Sequence, residues 1–264
     1  TVIVDPNDYG DVINNMSNIT TDYRHYLAGK AFKIISEYDI HISNYFNTQE
    51  SKSDSTPESY SRNYQLSQEL KYGCNPYQKK AGIYTISENN PFQILNGKLG
   101  YINILDAIYS WQLVQELSEC LEIECAASYK HTSPAGVGTA KPLSNQLHYM
   151  YDIPHNKDLS PLATAFIRAR NTDPMSSFGD FIALSHTVDE CTALEIKKVI
   201  SDGVVAPGYT PEALEILKQK RKGNYLILQV DPSYQNNQDV EIREIFGMSL
   251  VQQVNNYRIN KQTI

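Results

Sequence analysis

The chain has 264 residues, a formal net charge of −7, 41% hydrophobic residues and 20% charged residues. This composition is typical of a globular protein with a buried core rather than of a disordered chain. An acidic balance disfavours general binding to nucleic acids, because phosphate-backbone affinity depends on clustered Lys and Arg. No apolar run approaches the roughly 18 residues that a membrane-spanning helix needs. We therefore expect a soluble protein that binds neither nucleic acid nor membrane.

The cysteines favour a cytoplasmic protein with reduced thiols. They form no C-x-x-C pair and are far too sparse for a secreted disulfide scaffold. We expect them to be small buried hydrophobic residues, and nothing pairs them with histidine as a metal site. The four residues are Cys74, Cys120, Cys125 and Cys191.

The N-terminal region predicts one strand and one helix. Residues 1–6 are strand-like, and residues 24–46 place apolar side chains on one helical face, which needs a partner. Residues 47–68 are polar and Ser-rich, as linkers are. About 46 residues cannot bury enough surface to fold alone. We therefore expect them to be the tail of a larger upstream domain and the chain to be part of a longer polypeptide.

Downstream of Tyr72, short apolar runs alternate with amphipathic helices, which predicts an α/β fold with a sheet covered by helices. Ser160-Pro161 and Thr210-Pro211 each place an N-cap residue before a proline at the first helical position. Predicted helices cover about 104–121, 161–170, 192–200 and 210–222, and predicted strands cover 125–129, 181–184, 204–206 and 225–230.

Three loops at strand or helix ends are candidate ligand sites: 71–78, 128–136 and 168–181. Lys130 and His131 carry the clearest chemistry, because a base that titrates near neutrality lies beside a fixed positive charge. Neighbours in a regular strand point to opposite faces. Both can serve one site only if the backbone leaves the strand there, and we expect Pro134-Ala135-Gly136 to make that turn. The alternative is a solvated surface pair.

Two motifs that contain glycine are weaker indications of a binding site. Gly136-Val137-Gly138 lacks the third glycine of a dinucleotide-binding fingerprint, so we interpret it as backbone geometry. Asp202-Gly203 is either a turn after a helix or a carboxylate that binds ribose hydroxyls.

Taken together, these segments resemble one family, the bifunctional enzymes of purine biosynthesis that join AICAR formyltransferase to IMP cyclohydrolase. The resemblance is collinear from Tyr72 to about Asn256, and residues 1–46 resemble the end of the cyclohydrolase domain more weakly. It is carried by Tyr72-Gly73-x-Asn75-Pro76-x-Gln78, Leu95-Asn96-Gly97, Asp106-Ala107, Trp111-Gln112-Leu113-Val114, Lys130-His131-x-Ser133-Pro134-Ala135-Gly136, Arg168-Ala169-Arg170, Met175-Ser176-Ser177-Phe178-Gly179-Asp180-Phe181, Ser201-Asp202-Gly203 and Ala206-Pro207-Gly208-Tyr209.

The resemblance implies a cytidine-deaminase-like mixed sheet covered by helices, preceded by the tail of an α/β cyclohydrolase domain. It implies formyl transfer from 10-formyltetrahydrofolate, a co-substrate, to the amine of AICAR. His131 would be the general base and Lys130 would stabilise the oxyanion. Tyr72, Gly179 and Asp202 match nucleotide-binding positions. Because the zinc signature of deaminases is missing, no catalytic metal is expected.

The resemblance divides the chain into residues 1–46, the end of the cyclohydrolase domain, a linker at 47–68, and residues 69–264, the first half of the formyltransferase domain. Lys71 stands where the family usually has a phosphate-binding arginine and Tyr77 where it often has histidine, so we expect weaker phosphate binding. The family implies a homodimer. We expect the 264 residues alone to lack both activities, and the alternative is a noncatalytic nucleotide-binding or dimerisation module.

Overall fold

A computed structural model of the protein describes residues 1–50, 56–86, 90–235 and 238–263. The chain forms two compact units. The smaller unit contains Thr1–Leu66 and a short stretch that begins at Tyr84, and the larger unit contains most of the chain from Ser67 onward. All six candidate site residues belong to the larger unit.

The smaller unit begins without the predicted strand. Residues 1–5 are irregular, and a 3₁₀ helix at Pro6–Asp8 is followed by helix α1. The Asp5 side chain accepts a hydrogen bond from the Asn7 N–H at 2.9 Å, which caps the 3₁₀ helix. In the described residues no strand pairs with residues 2–4, so their β propensity alone does not form a strand.

The long helix of the smaller unit is confirmed, and it extends beyond its predicted ends. Helix α1 covers Tyr9–Asn14 and helix α2 covers Thr21–Glu50. Within α2, Leu27 and Ala31 are buried, whereas Ile35 and Tyr38 are exposed. Helix α2 extends into the first residues of the predicted linker. Residues 51–55 of that linker lie outside the described residues. Residues 56–64 form no helix or strand.

A six-stranded mixed sheet forms the centre of the larger unit, in the order β3-β8-β7-β6-β4-β5. Strands β6, β7 and β8 are parallel, and β3, β4 and β5 are antiparallel to their neighbours. Two further pairs, β1-β2 and β9-β10, are separate two-stranded sheets. The strands are β1 Gln65–Leu70, β2 Ala81–Thr85, β3 Phe92–Asn96, β4 Cys125–Lys130, β5 Ser133–Thr139, β6 Asp180–Leu184, β7 Ser201–Ala206, β8 Leu226–Val230, β9 Val240–Ile245 and β10 Met248–Gln253.

Two helices of this unit begin where their capping residues predict, whereas the helices predicted from about 104 and 192 begin earlier, at Tyr101 and Glu190. The Ser160 hydroxyl accepts a hydrogen bond from the Ala163 N–H, and the Thr210 hydroxyl accepts one from the Ala213 N–H, both at 3.2 Å. The helices are α3 Tyr101–Leu121, α4 Asn145–Met150, α5 Pro161–Asn171, α6 Glu190–Lys198 and α7 Pro211–Lys218. Among the described residues, no helix is both long and apolar enough to cross a membrane.

Two apolar cores lie on the two faces of the sheet. Successive residues of β7 alternate between them, with Val204 and Ala206 in one core and Val205 in the other. Helices α5, α6 and α7 cover the first core, and α3 covers the second. This arrangement confirms the predicted α/β class and a mixed sheet flanked by helices.

The segment after His131 differs from the sequence prediction. Pro134, Ala135 and Gly136 form no turn, because they belong to edge strand β5, which pairs with β4. A Cβ on Gly136 would lie 2.0 Å from the Ala169 carbonyl oxygen, and one on Gly138 would lie 2.4 Å from that of Ala165. Both glycines are therefore required by the close approach of α5 to β5.

The thiols are free at all four positions, which the described residues include. Cys120 and Cys125 are buried as predicted, and Cys191 is half-buried. Cys74 is exposed. The expectation of burial is wrong for Cys74 because the loop around Asn75-Pro76 lies at the surface.

Candidate functional site

The candidate site lies at the edge of the sheet where β4 ends and β6 and β7 begin. Because β4 runs antiparallel to β6, Lys130 at the end of β4 lies near the residues that precede β6. Strand β7 begins at Ser201, which pairs with Asp180. The loops that the sequence singled out at 128–136 and 168–181, together with Asp202, therefore reach one end of the sheet.

A two-residue turn carries the candidate base. Lys130 pairs with Ser133 across β4 and β5, so His131 and Thr132 alone connect the strands. Their φ angles are 52° and 62°. Positive φ at both positions is characteristic of type I′ hairpin turns, which favour Asn-Gly, whereas this turn contains neither residue. The backbone does leave the strand after Lys130, as the shared-site hypothesis requires, but at His131 rather than at Pro134.

The pairing of β4 with β5 also shifts register next to this turn. Ser128 pairs with Gly136 and Tyr129 pairs with Pro134, so Ala135 is an extra residue in β5. Bulges of this kind bend a strand and redirect its side chains, and they occur often beside active sites.

A carboxylate from helix α3 supports the turn. Asp106 is buried, and one of its carboxylate oxygens accepts a hydrogen bond from the Thr132 N–H at 2.7 Å. Burial raises the pKa of Asp106, and the negative charge of Asp202 adds to this shift. The Thr132 hydrogen bond and the charge of His131 oppose the shift in the pKa of Asp106. Asp106 is therefore electrostatically linked to both His131 and Asp202.

Gly179 lies opposite the end of β4. The Lys130 ammonium donates a hydrogen bond to the carbonyl oxygen of Phe178. A Cβ on Gly179 would lie 3.8 Å from Lys130 Nζ, and the φ of this glycine is +72°. Because an ammonium has three N–H donors, the Phe178 bond leaves two for a ligand. Lys130 and Gly179 are thus brought together as the sequence predicts.

A buried polar network holds the 177–179 segment in place. Arg170 of α5 forms an ion pair with Asp180 at 2.7 Å and donates hydrogen bonds to the carbonyl oxygens of Ser177 at 2.6 Å and Ile200 at 3.1 Å. The Ser128 hydroxyl donates a hydrogen bond to Asp180 at 2.6 Å. Burial in the core keeps this network away from solvent, so it fixes one wall of the site.

Lys130 and His131 line the same open pocket, which has a volume of about 470 Å³. The turn and the start of β5 form one side, and the segment that begins at Asp173 forms the other. This volume is in the range of small-molecule sites. The remaining lining residues are Ser133, Pro134, Ala135, Asp173, Met175 and Ser176.

The other four predicted residues, Lys71, Tyr72, Gly179 and Asp202, lie outside this pocket lining. Lys71 Nζ lies 5.7 Å from the centroid of the Tyr72 ring, so these two residues contact each other in the loop after β1. The half-exposed carboxylate of Asp202 forms an ion pair with Arg221 at 2.9 Å. A ligand that binds either Asp202 or Arg221 would have to break this ion pair.

Three residues that shape the site received no role from the sequence: Asp106, Arg170 and Asp180. Each lies in a motif that carries the family resemblance, yet their contacts join distant parts of the chain. Asp106 is 26 residues from Thr132. A buried charged residue is the signal that identifies such positions, and burial is read from the tertiary structure.

A family model described as the AICARFT/IMPCHase bienzyme matches residues 1–264. The chain belongs to this family. Proteins named "Bifunctional purine biosynthesis protein PurH" are similar to it. The one from Oceanobacillus iheyensis is 33% identical, and the match covers 95% of this chain and 45% of the relative. The one from Lysinibacillus sphaericus is 34% identical, and the match covers 97% of this chain and 46% of the relative.

The chain thus spans about half the length of the curated relatives that it matches. A third relative of the same name, from Halalkalibacterium halodurans, is 31% identical over 100% of the chain and 48% of its own length. The printed name of all three relatives refers to purine biosynthesis.

Proposed function

We propose that the chain provides part of a formyltransferase site that moves a formyl group from 10-formyltetrahydrofolate to the 5-amino group of AICAR, giving FAICAR. Family membership and the relatives' printed name support a role in purine biosynthesis. The observation that carries the finer proposal is the single pocket lined by Lys130 and His131. The parent enzyme would also cyclise FAICAR to IMP.

The two side chains would divide the chemistry. The AICAR amine forms a C–N bond to the formyl carbon, its proton passes to the imidazole of His131, and the carbonyl oxygen becomes an oxyanion. Lys130 would donate a free N–H to that oxyanion. The intermediate then collapses, the bond to N10 of the folate breaks, and N10 takes up a proton. General base and electrostatic stabilisation are both needed because the amine is conjugated with the ring and is a poor nucleophile.

The nucleotide would be held around this pair. Gly179 leaves room beside the Lys130 ammonium, because the nearest atom to a Cβ there would be Lys130 Nζ. Asp202 would accept hydrogen bonds from ribose hydroxyls, and Lys71 and Tyr72 would contact the phosphate end. Because Lys71 offers a point charge rather than the bidentate fork of arginine, we propose weaker phosphate binding than the family norm.

The family resemblance also carries our proposals on domain boundaries, assembly and location. Residues 69–264 would be the first half of a cytidine-deaminase-like formyltransferase domain, residues 47–68 a linker, and residues 1–46 the end of the cyclohydrolase domain. A homodimer in the cytoplasm and chemistry without a metal follow from the family resemblance. A noncatalytic module is less favoured, because such a module has no need for a strained turn that carries a histidine beside a pocket.

The proposal is tested by assaying formyl transfer with AICAR and 10-formyltetrahydrofolate in the whole gene product that contains this chain. His131→Ala should lower kcat by about 10²- to 10⁴-fold, because a positioned general base contributes that much. His186→Ala is the matched control, since His186 follows the opposite end of β6. Full activity of His131→Ala would contradict the assignment.

The isolated 264 residues provide a second measurement. We expect them to bind AICAR weakly by calorimetry but not to formylate it at the rate of the whole gene product. An absence of heat would support a noncatalytic dimerisation module, and full activity would contradict the expectation that further sequence is needed.

A further inference from the structure

The turn at His131-Thr132 requires an explanation that its own sequence does not supply. Both residues are in the left-handed region without being glycine. For an L-residue this conformation costs roughly 1–2 kcal/mol, and it persists only where the surroundings impose it. Thr132 is β-branched, which makes positive φ especially unusual.

Asp106 contacts the turn from another element of the fold. Its carboxylate accepts the Thr132 N–H at 2.7 Å. A second hydrogen bond, from the Thr132 hydroxyl to the His131 carbonyl oxygen at 2.7 Å, is local to the turn. Hydrogen bonds to an ionised acceptor are short and strong, so Asp106 is the stronger support.

Helix α3 gives this support a rigid base. Asp106 is 5% exposed, and its neighbours Ala107 and Ile104 are buried in the core on that face of the sheet. The helix packs against β4, β6 and β7. The packed helix therefore offers the Thr132 N–H an acceptor that is anchored in the core.

We propose that Asp106 is a positioning residue for formyl transfer: its hydrogen bond to the Thr132 N–H holds the strained turn so that His131 faces the same pocket as Lys130. This inference rests on the proposed function of His131. Asp106 contacts the turn backbone and acts through it, so its removal should change kcat more than the KM for AICAR.

The test compares three variants in the whole gene product. Asp106→Ala should lower kcat about 10- to 100-fold with the KM for AICAR within about threefold, because a displacement of about 1 Å can cost 10²-fold. Asp106→Asn keeps an acceptor oxygen and should retain kcat within about threefold. Adding Thr132→Gly to Asp106→Ala should restore at least about threefold, because glycine adopts positive φ without strain.

Asp189→Ala is the matched control. Asp189 also accepts a backbone N–H at 2.7 Å, from Thr192 at the start of α6. Its loss should lower stability without changing kcat. The amide exchange of Thr132, measured by NMR, supplies a readout independent of turnover: exchange should accelerate in Asp106→Ala and stay slow in Asp106→Asn. If Asp106→Ala does not fold, Asp106→Ser replaces it, since serine is too short to reach the Thr132 N–H.

The outcomes separate the two proposals. Loss of activity in His131→Ala with wild-type kcat in Asp106→Ala would overturn the positioning role and leave the proposed function intact. Equal losses in Asp106→Asn and Asp106→Ala, or no rescue by Thr132→Gly, would also overturn it. Full activity in His131→Ala would refute the proposed function itself.

Discussion

Two hairpins of this protein close with turns of the same length and opposite chemistry. Between β9 and β10, Phe246 and Gly247 have φ angles of 53° and 75°, and Ile245 pairs with Met248. Glycine in the second position fits the type I′ preference. Between β4 and β5 the corresponding residue is Thr132, which has no such freedom.

The difference shows where the protein tolerates strain. In the β9–β10 turn Gly247 adopts positive φ without strain, and the other turn residue, Phe246, is 95% exposed. The β4–β5 turn instead depends on Asp106, a buried side chain from another element. Strained backbone held by tertiary contacts tends to occur at functional sites. The comparison therefore supports the proposal that the His131 turn has a role beyond connecting strands.

The largest effect should come from removing the wall that faces this turn. Arg170→Ala leaves the buried Asp180 carboxylate without its ion pair and frees two backbone carbonyls. Breaking a buried pair in this way costs about 3–5 kcal/mol. We expect a loss of that size in the free energy of unfolding, measured with urea on the 264-residue chain.

Arg221→Ala is the control for that measurement. Its ion pair with Asp202 is about half exposed, and such pairs contribute about 0–1 kcal/mol. Equal losses in the two arginine variants would show that the buried network is not a special support for the 177–179 segment.

Exchanging the turn residues should produce smaller effects of opposite sign. Thr132→Gly removes the left-handed strain of the folded turn, but it also raises the chain entropy of the unfolded state. We therefore expect the β4–β5 hairpin to become more stable by up to about 1 kcal/mol. Gly247→Thr introduces the same strain without a supporting carboxylate, and should weaken the β9–β10 hairpin by about 1 kcal/mol. Amide exchange in each hairpin measures both changes. A stabilised β9–β10 hairpin in Gly247→Thr would contradict the comparison.

The smallest effect concerns pH. Burial raises the pKa of Asp106 above the ordinary value of 3.8, so the folded protein releases this proton at a higher pH than the unfolded chain does. The stability that results is present below the unfolded pKa and is lost as the pH rises through the folded pKa. The free energy of unfolding of the wild type, relative to Asp106→Asn, should therefore fall as the pH rises from below 3.8. Urea titrations of both proteins across the acid range measure this difference in the free energy of unfolding. A difference that rises with pH would contradict the raised pKa of Asp106.

Features with local causes were predictable. The starts of α5 and α7 follow from Ser160-Pro161 and Thr210-Pro211, because capping and the fixed φ of proline act within one turn. The strands β6, β7 and β8 follow from short apolar runs. The order of those strands was not predictable, and neither was the position of the β4–β5 turn, where Pro134 and Gly136 suggested the wrong residues.

The amino-acid sequence by itself determined the α/β class, the family, and the residue types available for chemistry at Lys130, His131 and Gly179. Tertiary structure decided which of those residues share a pocket and which remote side chains support them. The glycines of β5 are explained by the approach of α5, and the turn by Asp106. Both depend on contacts between residues far apart in the chain, which local propensity and spacing do not contain.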